Sequence, residues 1–426
     1  MSQTSPQAVS PAGDTSQVRT RDIKIMFIVG AAHAMSHFAQ FILPRLTDWV
    51  TDGLKISVTQ LSFVVAVFYV VSCLVQTTSG FIVDKKGGRP ILFIGLSFIT
   101  LGLLGYTVST QYWMLLASAV LLGIGNGVFH PADYTLINRL VTPKRIRYAY
   151  SVHGMTGNLG WALAPVFVVG IATLTDNWRI ATACSTALVV AVLILCIYYR
   201  RLLSGPDTQT MKEVTPKPQD NPKAAVKTEN SESAFAFLKL PAIWLCMLFF
   251  FFYALNGGAI LVYSPQAVQG LFGMGDFSSA ACVTVFMIAS AVGMAYGGYL
   301  AADPSRCEKI VAVAFGVSAV FALMLAFLPL SQWMVFGMFA LIGFFTGIAG
   351  PSRDLIVKRA TPEGASGRVF GVVYAGLDIG QAVSPLLYGL LIDHKQYAGI
   401  FITLAVVQLV LISSAFTAGK QGKTKK

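Results

Sequence analysis

His33 and His37 stand four residues apart, the spacing that puts two side chains on one face of a helix. His130 and Asp133 stand three apart and share a face in the same way, and His153 opens the next apolar stretch. An imidazole titrates near neutral pH, offers two ring nitrogens and pairs readily with a carboxylate. Such a set could take up and release a proton, or it could hydrogen-bond neighbouring helices and fix their packing. Histidines four apart also occur in membrane di-iron enzymes. Those sites need many clustered ligands, and this chain has 5 histidines in all, the last of them, His394, in a turn. No catalytic residue, metal or cofactor is therefore expected, and the chain reads as a non-enzyme. Further on, Asn256, Tyr263, Arg353, Asp354, Asp378 and Gln381 interrupt apolar sequence. Ionisable groups inside apolar helices are costly, which marks them as functional candidates. Asn256 is followed by Gly257 and Gly258, which suggests either a locally opened helix with backbone facing a ligand or a plain packing notch.

Composition decides what carries these residues. The chain is 55% apolar and 12% charged, against roughly a quarter charged in an ordinary soluble domain. A helix crossing a bilayer needs about 20 mainly apolar residues. Such stretches fall at 24–46, 57–82, 91–109, 112–138, 147–173 and 178–199, then at 236–267, 277–302, 309–329, 332–358, 367–392 and 396–416. The fold class is all-α, a polytopic membrane protein of twelve spans. Lys and Arg in short loops tend to stay on the cytoplasmic side. With both termini there, only Arg45, Lys55, Arg179 and Lys395 fall on the opposite face, and Arg353 lies inside a span. The net charge of +12 is thus orientation bias in a membrane protein and asks for no nucleic acid. Of the six cysteines, only Cys307 lies outside a span, so no disulfide framework is expected.

Residues 201–234 are rich in Pro, Lys, Asn and Ser and read as a flexible cytoplasmic linker. It separates a half at 22–200 from a half at 235–416, with a disordered tail at 1–21 and a basic tail at 417–426. The halves repeat one another at an offset of 220, matching Gly123 to Gly343, Gly127 to Gly347, Pro131 to Pro351, Gly160 to Gly380 and Pro165 to Pro385. Six spans per half keep both copies parallel, the plan of transporters whose site lies between repeats near mid-membrane. Each proline removes a backbone hydrogen bond, so Pro165 and Pro385 are candidates for gating flexure as much as for static packing. Under the same offset Asp133 falls on Arg353. These opposite charges could pair across the cavity when the cytoplasmic side closes, or each could be neutralised within its own half, Arg353 by the adjacent Asp354.

After the second span comes Gly80-Phe-Ile-Val-Asp84-Lys85-Lys86-Gly87-Gly88-Arg89-Pro90. It resembles the signature loop of the major facilitator superfamily, and Gly298 to Arg306 form a degraded copy with one extra residue before Asp303. The segments Gly123 to Pro131 and Gly154 to Pro165 are similar to the fosmidomycin-resistance type of bacterial transporter. The resemblance implies a loop in which Gly80, Asp84, Lys85, Gly87 and Arg89 latch the halves together in one state. It also implies that the first, fourth, seventh and tenth spans line a cavity. That would place His33, His37, His130, Asp133, Asn256 and Arg353 around a small-molecule substrate and its coupled protons. The expectation is a monomeric secondary transporter in the lipid bilayer, working by alternating access. Proton-coupled export of a drug-like or metabolic anion comes first, proton-coupled import of an organic acid second, and a non-transporting membrane sensor third.

Overall fold

The computed structural model describes residues 16–204, 235–362 and 364–423; most of the expected linker, the first fifteen residues and 424–426 lie outside the described residues. Twelve helices are long and apolar enough to cross a membrane, and no strand occurs among the described residues. They are α1 (Ser16–Arg45), α2 (Thr59–Lys86), α3 (Gly88–Val108), α4 (Tyr112–Leu140), α5 (Pro143–Thr175) and α6 (Trp178–Tyr198). The second half holds α7 (Pro241–Phe272), α8 (Phe277–Leu300), α9 (Pro304–Phe327), α10 (Gln332–Ala360), α11 (Ser366–Asp393) and α12 (Tyr397–Thr417). In hydrocarbon every backbone N–H and C=O must be satisfied within the segment, which leaves the helix as the available form. Two tail boundaries shift. Helix α1 already begins at Ser16 and helix continues from α12 to Lys423, so residues 16–21 and 417–423 are helical rather than tail.

Local chemistry sets the ends. The hydroxyl of Ser57 accepts from the Gln60 amide and the Gln60 side chain accepts from the Ser57 amide, a reciprocal cap that starts α2. Gly87 turns the chain from α2 into α3 at φ +84°, a backbone region that side chains rarely enter. Pro131 has no N–H for the carbonyl of Gly127 one turn back, and α4 is interrupted at Val128. The freed carbonyl accepts from the Ser79 hydroxyl instead. Asn256 and the two glycines after it run into a π-helical turn at Ala259–Tyr263, so the backbone of α7 does open, one turn later than the sequence suggested.

Within the first half α1 packs on α5, α2 on α4 and α3 on α6; within the second, α7 packs on α11, α8 on α10 and α9 on α12, the same scheme. The repeated glycines have a packing reason. A β-carbon on Gly127 would stand 2.5 Å from the Ser72 carbonyl, and one on Gly347 would stand 2.1 Å from the Ser290 carbonyl. Each marks where α4 or α10 crosses its neighbour backbone to backbone. Large apolar side chains such as Phe27, Leu174 and Phe277 point outward, as a protein solvated by lipid requires. The halves meet along two seams, α2 against α11 and α5 against α8.

Candidate functional site

Four of the histidines converge in the core of the first half. His33 Nδ1 lies 3.1 Å from Asp133 Oδ2 and His153 Nε2 lies 3.2 Å from the same oxygen. The His33 contact has ion-pair length, although its angles fall short of a formed hydrogen bond. The rings of His33 and His153 stack at 3.7 Å, and the His37 ring lies 4.4 Å from that of His33. His130 completes the group, with its Nδ1 2.6 Å from Gln76 Oε1. Helices α1, α4 and α5 carry these residues, and α5 comes close because Gly157 faces His33 and His37 where a β-carbon would stand 3.0 Å from His33 Nε2. The structure thus brings together His33, His37, His130 and Asp133 and adds His153. Asp133 Oδ1 and both ring nitrogens of His37 are buried without a hydrogen-bond partner among the described residues.

A polar seam continues from this cluster into the second half. Gln76 on α2 donates to Asp378 on α11 at 3.0 Å, and the Ser72 hydroxyl donates to the same carboxylate at 3.3 Å. Asn126 donates to Ser72 and accepts from Ser36 and Gln40, and Gln40 accepts from Trp161. Asp378 has only neutral hydrogen-bond donors among the described residues.

Asp133 and Arg353 do not pair. Arg353 Nε donates to Asp354 at 2.8 Å, and its guanidinium lies 4.7 Å from the Phe250 ring centroid and 4.5 Å from that of Tyr253. Asp354 accepts in turn from Tyr134 of the first half at 2.8 Å and from Tyr374 at 2.9 Å, and the two phenols hydrogen-bond one another. Each charge is therefore settled by nearer partners, because Asp354 reaches the guanidinium without crossing the interface. Asn256 also stands apart from the histidines, accepting from Gln408 at 2.9 Å.

At the end of the bundle that bears most of the basic residues, Asp84 accepts from the Gly367 amide at 2.7 Å, the Arg368 amide at 3.2 Å and Arg368 Nε at 2.9 Å. These are the first residues of α11, where unpaired amides favour an anion. Gly80 allows the approach: a β-carbon there would stand 2.3 Å from the Gly367 carbonyl. Arg368 was not legible in the loop itself. Arg89 turns away to the end of its own half, reaching the Arg200 carbonyl and the Ser204 hydroxyl, and Lys85 is exposed. The degraded copy does not latch. Asp303 caps its own turn, and hydrogen bonds from the side chain and amide of Ser305 hold its carboxyl below the usual carboxylate range.

Toward the opposite end the halves part around a cavity of about 630 Å³. Its walls come from α1 and α5 on one side and α7 and α8 on the other, with Trp161, Pro165 and Met287 among them and Arg45 as the one charged lining residue among the described residues. A smaller chamber of about 30 Å³ lies deeper, between Asn158, Trp161, Asn256 and Gln381. Trp161 lines both and packs 4.4 Å from His37. The side chain of Pro385, on α11, lies outside the described structure.

Twelve helices in two like halves, a seam closed at one end and a cavity between halves toward the other define a membrane transporter. The chain belongs to the Major Facilitator Superfamily, whose profile matches residues 26–351 and 306–425. It is 24% identical over 431 residues to the fosmidomycin resistance protein of Escherichia coli K12, covering 98% of each chain. It is 24% identical over 389 residues to a probable nitrate/nitrite transporter, NarK2, of Mycobacterium tuberculosis, covering 88% of this chain and 90% of that one. Among solved structures it is similar to the proton:xylose symporter XylE, with a TM-score of 0.76 at 12% identity over 94% of this chain and 96% of that one.

Proposed function

We propose that the protein is a proton-linked carrier of a small organic anion in the bacterial inner membrane, with both termini cytoplasmic and the Asp84 latch closing the cytoplasmic end. The observation that carries this reading is the latch made between halves at one end while a cavity of about 630 Å³ separates them toward the other. That is one of the two states alternating access requires, the one open away from the cytoplasm. Arg45 at the cavity wall favours an anion, and among the relatives one is named for nitrate and nitrite and another for fosmidomycin resistance. Export is the leading direction and import of an organic acid the second.

The proton falls to Asp378. With the latch made, its carboxylate leans on two donors from the other half, Ser72 and Gln76. When α2 and α11 part, those donors leave with α2, and a buried charge without donors is expensive. Opening the latched end therefore favours a protonated Asp378, and loss of the proton favours closing. The test uses proteoliposomes with an imposed pH gradient and a panel of anions including fosmidomycin, nitrate and small carboxylates. Gradient-driven accumulation should be lost in Asp378→Asn while counterflow exchange of the same solute persists. Equal pH dependence in both proteins would sink the coupling role, and no anion moving in either would sink the anion reading.

A further inference from the structure

The sequence gives no reason to expect a metal, yet three imidazoles in the first half are arranged as a metal site would need them. We propose that His33, His37 and His130 form a buried site for one borderline divalent transition-metal ion of the zinc type. Four lines of geometry lead there. First, ligand nitrogens from these three residues all lie within 4.8 Å of one another. Second, the ring centroids are separated by 4.4, 5.3 and 6.0 Å. Three imidazoles on one tetrahedral ion, with metal–nitrogen bonds of about 2.0–2.1 Å, have centroids about 5 Å apart, so small ring movements close the site.

Third, the tautomers are set from outside. Gln76 turns its NH₂ to Asp378, so its carbonyl oxygen faces His130 Nδ1. A carbonyl can only accept, so Nδ1 carries the hydrogen and Nε2 keeps its lone pair. Asp133 Oδ2 stands 3.1 Å from His33 Nδ1, and a small reorientation of the ring makes this the carboxylate–histidine arrangement that fixes metal-ligating imidazoles. Fourth, His37 is buried with both nitrogens unpartnered among the described residues, and glycine at 157 lets α5 pack close beside His33 Nε2 and His37 with no side chain of its own between them. Mere packing leaves that idle donor-acceptor pair unexplained. Trp161 stands between His37 and the large cavity. The site does not depend on which solute is carried.

The test uses the full chain purified without a histidine tag and stripped with chelator. Titration with Zn²⁺ should show one tight equivalent per chain, and Co²⁺ should give the visible bands of a low-coordinate nitrogen site, displaced by Zn²⁺. His37→Gln and His130→Gln should each weaken binding at least tenfold, and Asp133→Asn about 10- to 100-fold, while His394→Gln leaves it unchanged. X-ray absorption of the unaltered zinc-loaded protein should show imidazole scattering from three ligands, a reading that stands even if a variant fails to fold. No stoichiometric binding, binding insensitive to His37→Gln and His130→Gln, or fewer than two imidazoles in the absorption spectrum overturns the proposal.

Discussion

Asp84→Asn removes the charge from a group that takes three hydrogen bonds across the interface. Asparagine keeps one oxygen for the Gly367 amide but presents an NH₂ group to Arg368, donor against donor. Hydrogen bonds to a charged group contribute about 1.5–3 kcal/mol each when buried. The side chain of Arg368 is 24% exposed, so its share is screened and discounted. A loss of about 2–3 kcal/mol from the latched state is a reasonable figure, and at about 1.4 kcal/mol per decade it raises the unlatched fraction roughly 30- to 150-fold. Val83 reports on this directly, because it is buried and faces Gly367 across the seam. With the native cysteines replaced, Val83→Cys should react with a polar maleimide faster by about that factor once Asp84→Asn is added. A rate within twofold of the parent, at unchanged helicity, would show that the latch does not hold this state.

Asp354→Asn should strand Arg353 without its counter-charge and lower thermal stability in detergent by about 3–5 kcal/mol, whereas Arg353→Met combined with Asp354→Leu should cost less. The double change costing as much as both singles summed would refute the pair. Exchanging Asp133 and Arg353 should not restore transport lost in either single variant, since each has nearer partners; recovery in the double swap would reinstate their pairing. Gly160→Leu should abolish folded protein, because even a β-carbon would stand 2.2 Å from the Ala34 carbonyl, while Gly170→Ala, in open space, should be neutral by size-exclusion profile and yield.

The spans, the parallel halves and the latch aspartate were legible because each rests on a local pattern: apolar runs, glycines recurring in register, and an acid among basic residues at a turn. Spacing put His33 with His37 and His130 with Asp133 on shared helix faces, but the four were expected around a cavity and gather instead in the core of the first half, lining neither the large cavity nor the smaller chamber. His153 was visible only as a span-opening residue. Arg368 and Gln76 were missed for a common reason: nothing on their own helices distinguishes them, and their importance comes from what the other half places beside them. The repeat offered Asp133 as a partner for Arg353 alongside the adjacent Asp354, because an internal repeat fixes position and leaves contact open. Asp354, next in sequence, needed only a side-chain rotation to win.

The contacts between the halves share a character that bears on how the carrier switches. The latch is one carboxylate on two amides and a partly exposed guanidinium, and the deeper seam is amides and hydroxyls on Asp378 and phenols on Asp354. Apart from the partly exposed Arg368–Asp84 pair, no ion pair spans the interface among the described residues, and the buried charge pair at Arg353 lies within one half. A fully buried cross-interface ion pair would cost several kcal/mol to separate, and a carrier built on one would stay in a single state. Neutral bonds to a carboxylate are individually worth less, and protonating Asp378 removes the charge they serve before the seam opens. Under the proposed coupling, the two access states differ by an energy that one proton on Asp378 is large enough to reverse.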